Sequence, residues 1–126
     1  MFELKPYLNK IEKYFEPIIS QYSFEIKAVK EHHVFLTSKH CIIEFTTGNY
    51  YPDLQIVFKK SLSSNFEITI GEFLEEKNLI DTTLLSEDQI EACNNIKDEL
   101  DSELYSFSII ISKYCEELLN GDYFSK

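Results

Sequence analysis

Five short apolar runs follow one another between residues 24 and 70, in the segment FEIKAVKEHHVFLTSKHCIIEFTTGNYYPDLQIVFKKSLSSNFEITI. The runs occupy residues 24–28, 34–36, 41–45, 54–58 and 66–70. Apolar and polar residues alternate in most of them, which is typical of strands that bury one face. Because the links are short, each strand is expected to pair with the next one. The segment therefore predicts an antiparallel meander of about five strands, with one face packed and the other wet.

An amphipathic helix is predicted before this segment. Apolar residues step by three or four positions from Leu4 to Tyr22, which is the spacing of a helix with one buried stripe. Pro17 lies inside this pattern and removes a backbone donor. A kink or a break is therefore expected near residues 14–16.

Helical spacing returns after the strands. Residues 72–79 predict a short helix, and Ser86 with Gln89 forms a capping-box pattern. Apolar residues then step by three or four positions from Cys93 to Leu118, until an Asn-Gly pair ends the pattern. This spacing predicts one helix of about 33 residues, roughly 50 Å long if straight. The predicted fold class is α+β, with the meander packed on one face by the N-terminal helix and the long C-terminal helix.

The chain has 126 residues, of which 44% are hydrophobic, with three glycines and three prolines. This length is enough to bury a core without metal or disulfide bonds, and it predicts a single domain over 1–126. No apolar run approaches the ~20 residues that span a bilayer, and no leader with a cleavage site is recognisable. We expect a cytoplasmic protein that does not bind membranes and whose three cysteines are reduced.

The charge balance is acidic, with 12 basic and 22 acidic residues and a net charge of -10. All the basic residues are lysines, and 15 of the acids lie after residue 60, against 4 lysines there. Arginine provides the bidentate fork that reads phosphate and base edges, so a chain without arginine is not expected to bind nucleic acid. The acidity favours a basic protein partner, whose association it would accelerate.

Projection of the long predicted helix places an acidic face opposite its apolar stripe, with one aromatic and one aliphatic side chain inside that face. The predicted partner-binding residues on it are Glu87, Glu91, Asp98, Asp101, Tyr105 and Ile109. A charged rim around apolar anchors is typical of a protein-binding surface. The same pattern also fits a solvated helix whose Ile109 is covered by the first helix or the sheet.

Tyr50 and Tyr51 form a second candidate binding site, in the loop between two strands. Tyrosine provides a large contact area at a low entropic cost, so a loop with two tyrosines suits recognition. The alternative is that both rings fold back over the edge of the sheet.

No motif in the sequence indicates a particular chemical reaction. The three glycines are too scattered for a nucleotide-binding loop, so no cofactor is expected. His32, His33, His40 and Cys41 do not have the spacing of a zinc site, and no metal is predicted there. The neighbouring carboxylates fall on polar helix faces, where nothing separates their pKa values for acid and base roles. No catalytic residue is predicted.

Three segments together resemble small bacterial proteins of the immunity type, which are encoded beside secreted polymorphic toxins. The segments are Gln21-Tyr22-Ser23-Phe24, Val34-Phe35-Leu36-Thr37-Ser38 and Leu118-Leu119-Asn120-Gly121-Asp122-Tyr123. The resemblance implies a non-enzymatic protein that binds a cognate toxin and blocks it, often with an acidic surface.

Our leading hypothesis is therefore a cytoplasmic binding protein that neutralises a basic toxin. One alternative is an enzyme or small-ligand-binding protein with a pocket between sheet and helices around the three histidines. Another is a structural homo-oligomer that uses the long helix as its seam. The sequence leaves the oligomeric state open.

Overall fold

The computed structural model describes residues 7–30, 33–47, 54–79 and 84–125. Its elements are α1 Leu8–Tyr22, β1 Glu25–Lys30, β2 His33–Thr37, β3 Ile42–Thr47, β4 Leu54–Lys59, β5 Glu67–Thr69, α2 Ile70–Glu76, α3 Glu87–Asn95, α4 Glu99–Tyr114, α5 Glu116–Leu119 and a C-terminal 3₁₀ helix Asp122–Ser125. The predicted α+β class is confirmed.

The five strands form one antiparallel sheet in the order β1-β2-β3-β4-β5, which confirms the predicted meander. Each observed strand begins and ends within two residues of its predicted position. In the centre of the sheet Phe45 lies opposite Val34 on one side and Ile56 on the other. All three are buried, and because side chains alternate along a strand they define the packed face.

Helices α1 and α4 supply the core above this packed face. Phe15 of α1 meets Phe45 edge-on, with ring centroids 4.9 Å apart and ring planes at 80°. Leu104 and Ile111 of α4 are fully buried in the same cluster. Burial of each such side chain stabilises the fold by about 1.5–3 kcal/mol, so this layer accounts for much of the cohesion between helices and sheet.

Helix α1 continues through Pro17, and the break predicted near residues 14–16 does not occur. The helix ends instead at Ser23, whose φ of 57° is in the left-handed region. The backbone N–H groups of Ser23 and Phe24 both donate to the carbonyl of Ile19. This left-handed cap ends the helix and turns the chain into β1.

The predicted single C-terminal helix is wrong, because α3, α4 and α5 occupy its place. Helix α3 ends at Asn95, and Ile96 has extended backbone with φ -82° and ψ 117°. The side chain of Asp98 then accepts a hydrogen bond of 3.0 Å from the N–H of Asp101 and begins α4. Asparagine and aspartate side chains compete with helical hydrogen bonds and favour caps. Here that local chemistry outweighs an unbroken apolar spacing.

The break between α3 and α4 is stabilised by a contact across it. The hydroxyl of Ser102 in α4 donates to the carbonyl of Cys93 in the last turns of α3, at 3.3 Å. A second interruption at Cys115 separates α4 from α5. Cys41, Cys93 and Cys115 form no disulfide bonds. Within the described ranges, no helix is both long and apolar enough to cross a membrane.

Candidate functional site

The predicted acidic helix face is divided between two helices. Glu87 and Glu91 are exposed on α3, whereas Asp98 and Asp101 lie at the start of α4. The Lys10 ammonium of α1 lies 3.1 Å from Asp101 Oδ1 and 3.6 Å from Asp98 Oδ1. Asp98 and Asp101 therefore form ion pairs with Lys10 of the same chain. The four predicted acids do not lie on one straight helix.

The predicted anchors Tyr105 and Ile109 are half-buried beside α1. The Tyr105 ring packs edge-on against Tyr14, with centroids 6.4 Å apart and planes at 64°. Ile109 lines a groove of about 410 Å³ between α1, α3 and α4, together with Tyr14, Pro17 and Ile18. The structure is therefore closer to the alternative in which the first helix covers Ile109 than to the one in which Ile109 is a fully exposed anchor. Tyr50 and Tyr51 lie outside the described residues.

The histidines do not form one constellation. His33 begins β2 and His40 lies in the turn after its end, so the strand separates them. His32 lies outside the described residues. Nδ1 of His33 is 2.8 Å from Glu44 Oε2. Within the described segments, no cluster of three or more histidine, cysteine or acidic side chains is arranged to hold a metal ion.

Glu44 is a buried charge that the sequence analysis did not single out. It lies on the second face of the sheet and is 8% exposed. Lys59 Nζ is 3.0 Å from Glu44 Oε1 and 3.5 Å from Glu67 Oε2, so both Glu44 oxygens have nitrogen partners. The hydrogen bond to Glu44 is the main cause that raises the pKa of Lys59. The sequence signal for this buried charge was a single glutamate inside the apolar run 41–45. The contacts of Glu44 indicate a structural ion pair.

A cluster of four aromatic rings joins the residue before β5, helix α2 and the C-terminal 3₁₀ helix. We call it the aromatic patch, and its members are Phe66, Phe73, Tyr123 and Phe124. The Tyr123 ring lies 6.3 Å from Phe66 at 26° and 5.5 Å from Phe73 at 73°. Phe73 is 1% exposed, whereas Phe66 is 54% exposed. The patch therefore has a buried base and an accessible outer ring.

Local sequence signals hold the patch in place. Thr69 and Glu72 form a reciprocal capping box at the start of α2, with hydrogen bonds of 3.1 and 3.0 Å. Gly121 precedes the 3₁₀ helix with a φ of 85°, and a Cβ there would lie 3.1 Å from the His40 carbonyl oxygen. Only glycine combines this backbone with so close an approach. The chain is thereby turned so that Tyr123 packs on Phe73.

Carboxylates surround one flank of the aromatic patch. A hollow of about 440 Å³ there, which we call the acidic hollow, is lined by Phe66, Glu67, Ile68, Glu72, Glu75, Glu76 and Tyr123. The Tyr123 hydroxyl donates to Glu76 Oε2 at 2.8 Å. Burial, then the hydrogen bond and charge of Glu76, raise the pKa of Tyr123 to about 12, with smaller contributions from Glu117 and Glu72. The flank is negative because four glutamates line the hollow.

Sequence reasoning missed this patch because its parts are distant in the chain. Phe66 was assigned only to a strand, and Tyr123 only to a terminal segment. One available signal was the concentration of acids in Glu72 to Glu76 directly after the strands. Another was the aromatic pair that follows Gly121. Neither signal shows that the two segments meet.

No known protein family matches the chain, and neither a curated protein nor a solved structure matches it.

Proposed function

We propose that this protein is a non-enzymatic binding protein of the immunity type, which binds and neutralises a basic toxin through the aromatic patch and the acidic hollow. The proposal rests on one observation. Phe66 is 54% exposed but stacks on a ring that is itself held by the buried Phe73. An exposed aromatic anchor on a rigid base, with charged side chains around it, is typical of a binding hot spot.

Charge complementarity favours a basic protein as the occupant. The acidic hollow is lined by four glutamates, and the whole chain has a net charge of -10. A second copy of this chain would bring the same carboxylates against them, so self-association through this surface is disfavoured. A basic partner gains both a faster encounter and a matched charge pattern.

A second hollow beside the patch is also suited to protein contact. This hollow of about 390 Å³ shares Phe66, Glu76 and Tyr123 with the acidic hollow, and Lys60, Ser64 and Phe124 complete its lining. Lys60 therefore lines only one of the two hollows. This asymmetry would fix the orientation in which a partner docks, because like charges placed opposite each other cost binding energy.

The experiment is a comparison of two exposed apolar side chains. Immobilised native protein captures its partner from a lysate of its own organism, and the purified partner is then measured against Phe66→Ala and Ile90→Ala. Ile90 is a matched control because it is 41% exposed and lies among acids on α3. We expect Phe66→Ala to weaken affinity by about 2 kcal/mol, roughly 30-fold, through faster dissociation, and Ile90→Ala to have little effect.

The opposite pattern would move the interface to α3 and overturn the patch as the binding surface. A partner whose affinity is unchanged in both variants would also overturn the patch as the binding surface. If the only ligand found is a small molecule that raises the melting temperature, the binding-protein proposal itself fails. Circular dichroism of Phe66→Ala checks that the fold is retained.

A further inference from the structure

The acidic hollow combines two features that recognise one kind of side chain. Its wall includes the rings of Phe66 and Tyr123, whose planes differ by only 26°. The other lining side chains are Ile68 and four glutamates, and no lysine is among the described residues that line it. An aromatic face attracts a cation, and a carboxylate neutralises it with directed hydrogen bonds.

Three of the four lining carboxylates already make contacts within this chain. These contacts do not use all of their hydrogen-bond acceptor positions. Glu72 uses Oε1 to accept the N–H of Thr69, and Glu76 uses Oε2 to accept the Tyr123 hydroxyl. A carboxylate has about four acceptor positions, so one such bond does not saturate it. Glu67 pairs with Lys59 at the rim. Glu75 is exposed and also lines the hollow.

We infer that the acidic hollow binds an arginine side chain presented by the partner protein, an inference that rests on the proposed function. A planar guanidinium lies flat against an aromatic ring while its fork of N–H donors reaches two carboxylates. A lysine ammonium is a compact point charge and makes only the second kind of contact well. The chain contains no arginine of its own, so no internal guanidinium competes for the hollow.

The test uses three blocked tripeptides as probes, glycine-X-glycine with X as arginine, citrulline or lysine. Citrulline retains the shape of arginine but has no charge. The peptides are titrated into ¹⁵N-labelled protein and followed by amide chemical shifts. We expect the arginine peptide to shift residues 66–76 and 123–124, with a dissociation constant in the millimolar range or above, because one side chain makes few contacts. The citrulline peptide should leave these resonances unchanged.

A charge-neutral variant identifies the carboxylates that matter. In Glu72→Gln/Glu75→Gln/Glu76→Gln, glutamine still accepts from Thr69 and from Tyr123, so the cap and the tyrosine bond are retained. We expect arginine-peptide affinity to fall about tenfold in this variant, because the charge-assisted hydrogen bonds are lost. The matched control removes three exposed acids elsewhere. It is Glu12→Gln/Glu25→Gln/Glu99→Gln, and affinity there should change less than about twofold.

The inference is overturned if citrulline binds as well as arginine, or if both triple variants weaken binding equally. Equal binding of the lysine peptide would overturn the assignment of arginine. If Phe66→Ala no longer binds the natural partner but the native protein does not bind the arginine peptide, this inference alone is refuted. Arginine-peptide binding together with a partner that ignores Phe66→Ala would instead refute the proposed interface.

Discussion

Helix α3 and the aromatic patch present similar chemistry to solvent on different supports. Each has one exposed large apolar side chain, Ile90 or Phe66, beside several carboxylates. No residue of α3 is buried, whereas the patch stands on Phe73, which is 1% exposed. Surface composition is therefore not what separates the two regions. The difference lies in the packing beneath the surface.

The packing beneath an exposed side chain affects binding in two ways. It determines how much conformational freedom the side chain loses when a partner docks, and how well its position is fixed beforehand. A side chain on a loosely packed helix must be ordered when a partner docks, and this ordering reduces the affinity. A ring already held against buried neighbours loses less freedom and keeps its geometry. An exposed side chain that packs on buried neighbours is therefore the better candidate for an interface.

The largest expected contrast is in stability. Phe73→Ala removes a fully packed ring and should lower the free energy of unfolding by about 3–5 kcal/mol. Ile90→Ala on α3 should change it by no more than about 0.5 kcal/mol, because the side chain is already 41% exposed. Urea unfolding of both variants measures the contrast. If the two losses are similar, α3 is packed as firmly as the patch and the comparison fails.

A smaller contrast is expected between the N-caps of α3 and α4. Asp98→Ala should lower global stability by about 1 kcal/mol, because α4 carries buried core residues such as Leu104. Ser86→Ala should leave the urea midpoint nearly unchanged but speed amide exchange within α3 about fivefold, because α3 can open locally.

Asp98→Asn controls for the ion pair with Lys10, since asparagine retains the capping oxygen and loses the charge. A stability loss in Asp98→Asn as large as in Asp98→Ala would assign the effect to the ion pair. A lower urea midpoint in Ser86→Ala would show that α3 unfolds together with the core.

The order of elements was predictable from the sequence because it follows from local spacing. Apolar runs between turn residues located every strand, and the Ser86–Gln89 capping box correctly placed the start of α3. The break at Ile96 was missed because the apolar spacing continues across it, although Asp98 carried a capping signal. Apolar spacing indicates which residues face inward, and three consecutive helices can satisfy it as well as one long helix.

The candidate site was not predictable because it depends on contacts between distant segments. Phe66 and Tyr123 are separated by most of the second half of the chain, and no local pattern indicates that their rings stack. The acidity of that half was visible, and the helical projection assigned it to the face that carries Tyr105 and Ile109. The patch became a candidate only from the burial of Phe73 and its contact with Tyr123.

The narrowest effect we predict, confined to alkaline pH, is a pH dependence that belongs to the patch. The pKa of Tyr123 is raised to about 12, first by burial and then by Glu76, while an unfolded tyrosine titrates near 10. Between about pH 10 and 12 the folded protein therefore retains a proton that the unfolded chain has lost. The stabilisation is complete below pH 10 and is lost as the pH rises toward 12.

Tyr123→Phe removes this proton, so its urea midpoint should decline less steeply than that of the wild type between pH 9 and 11. Part of the tyrosinate absorbance that appears near pH 12 should also be absent. Tyr105→Phe on α4 is the matched control, because it removes a hydroxyl from the other candidate surface. If Tyr105→Phe flattens the decline as much as Tyr123→Phe, the decline does not come from Tyr123, and this difference between the patch and the α4 surface disappears.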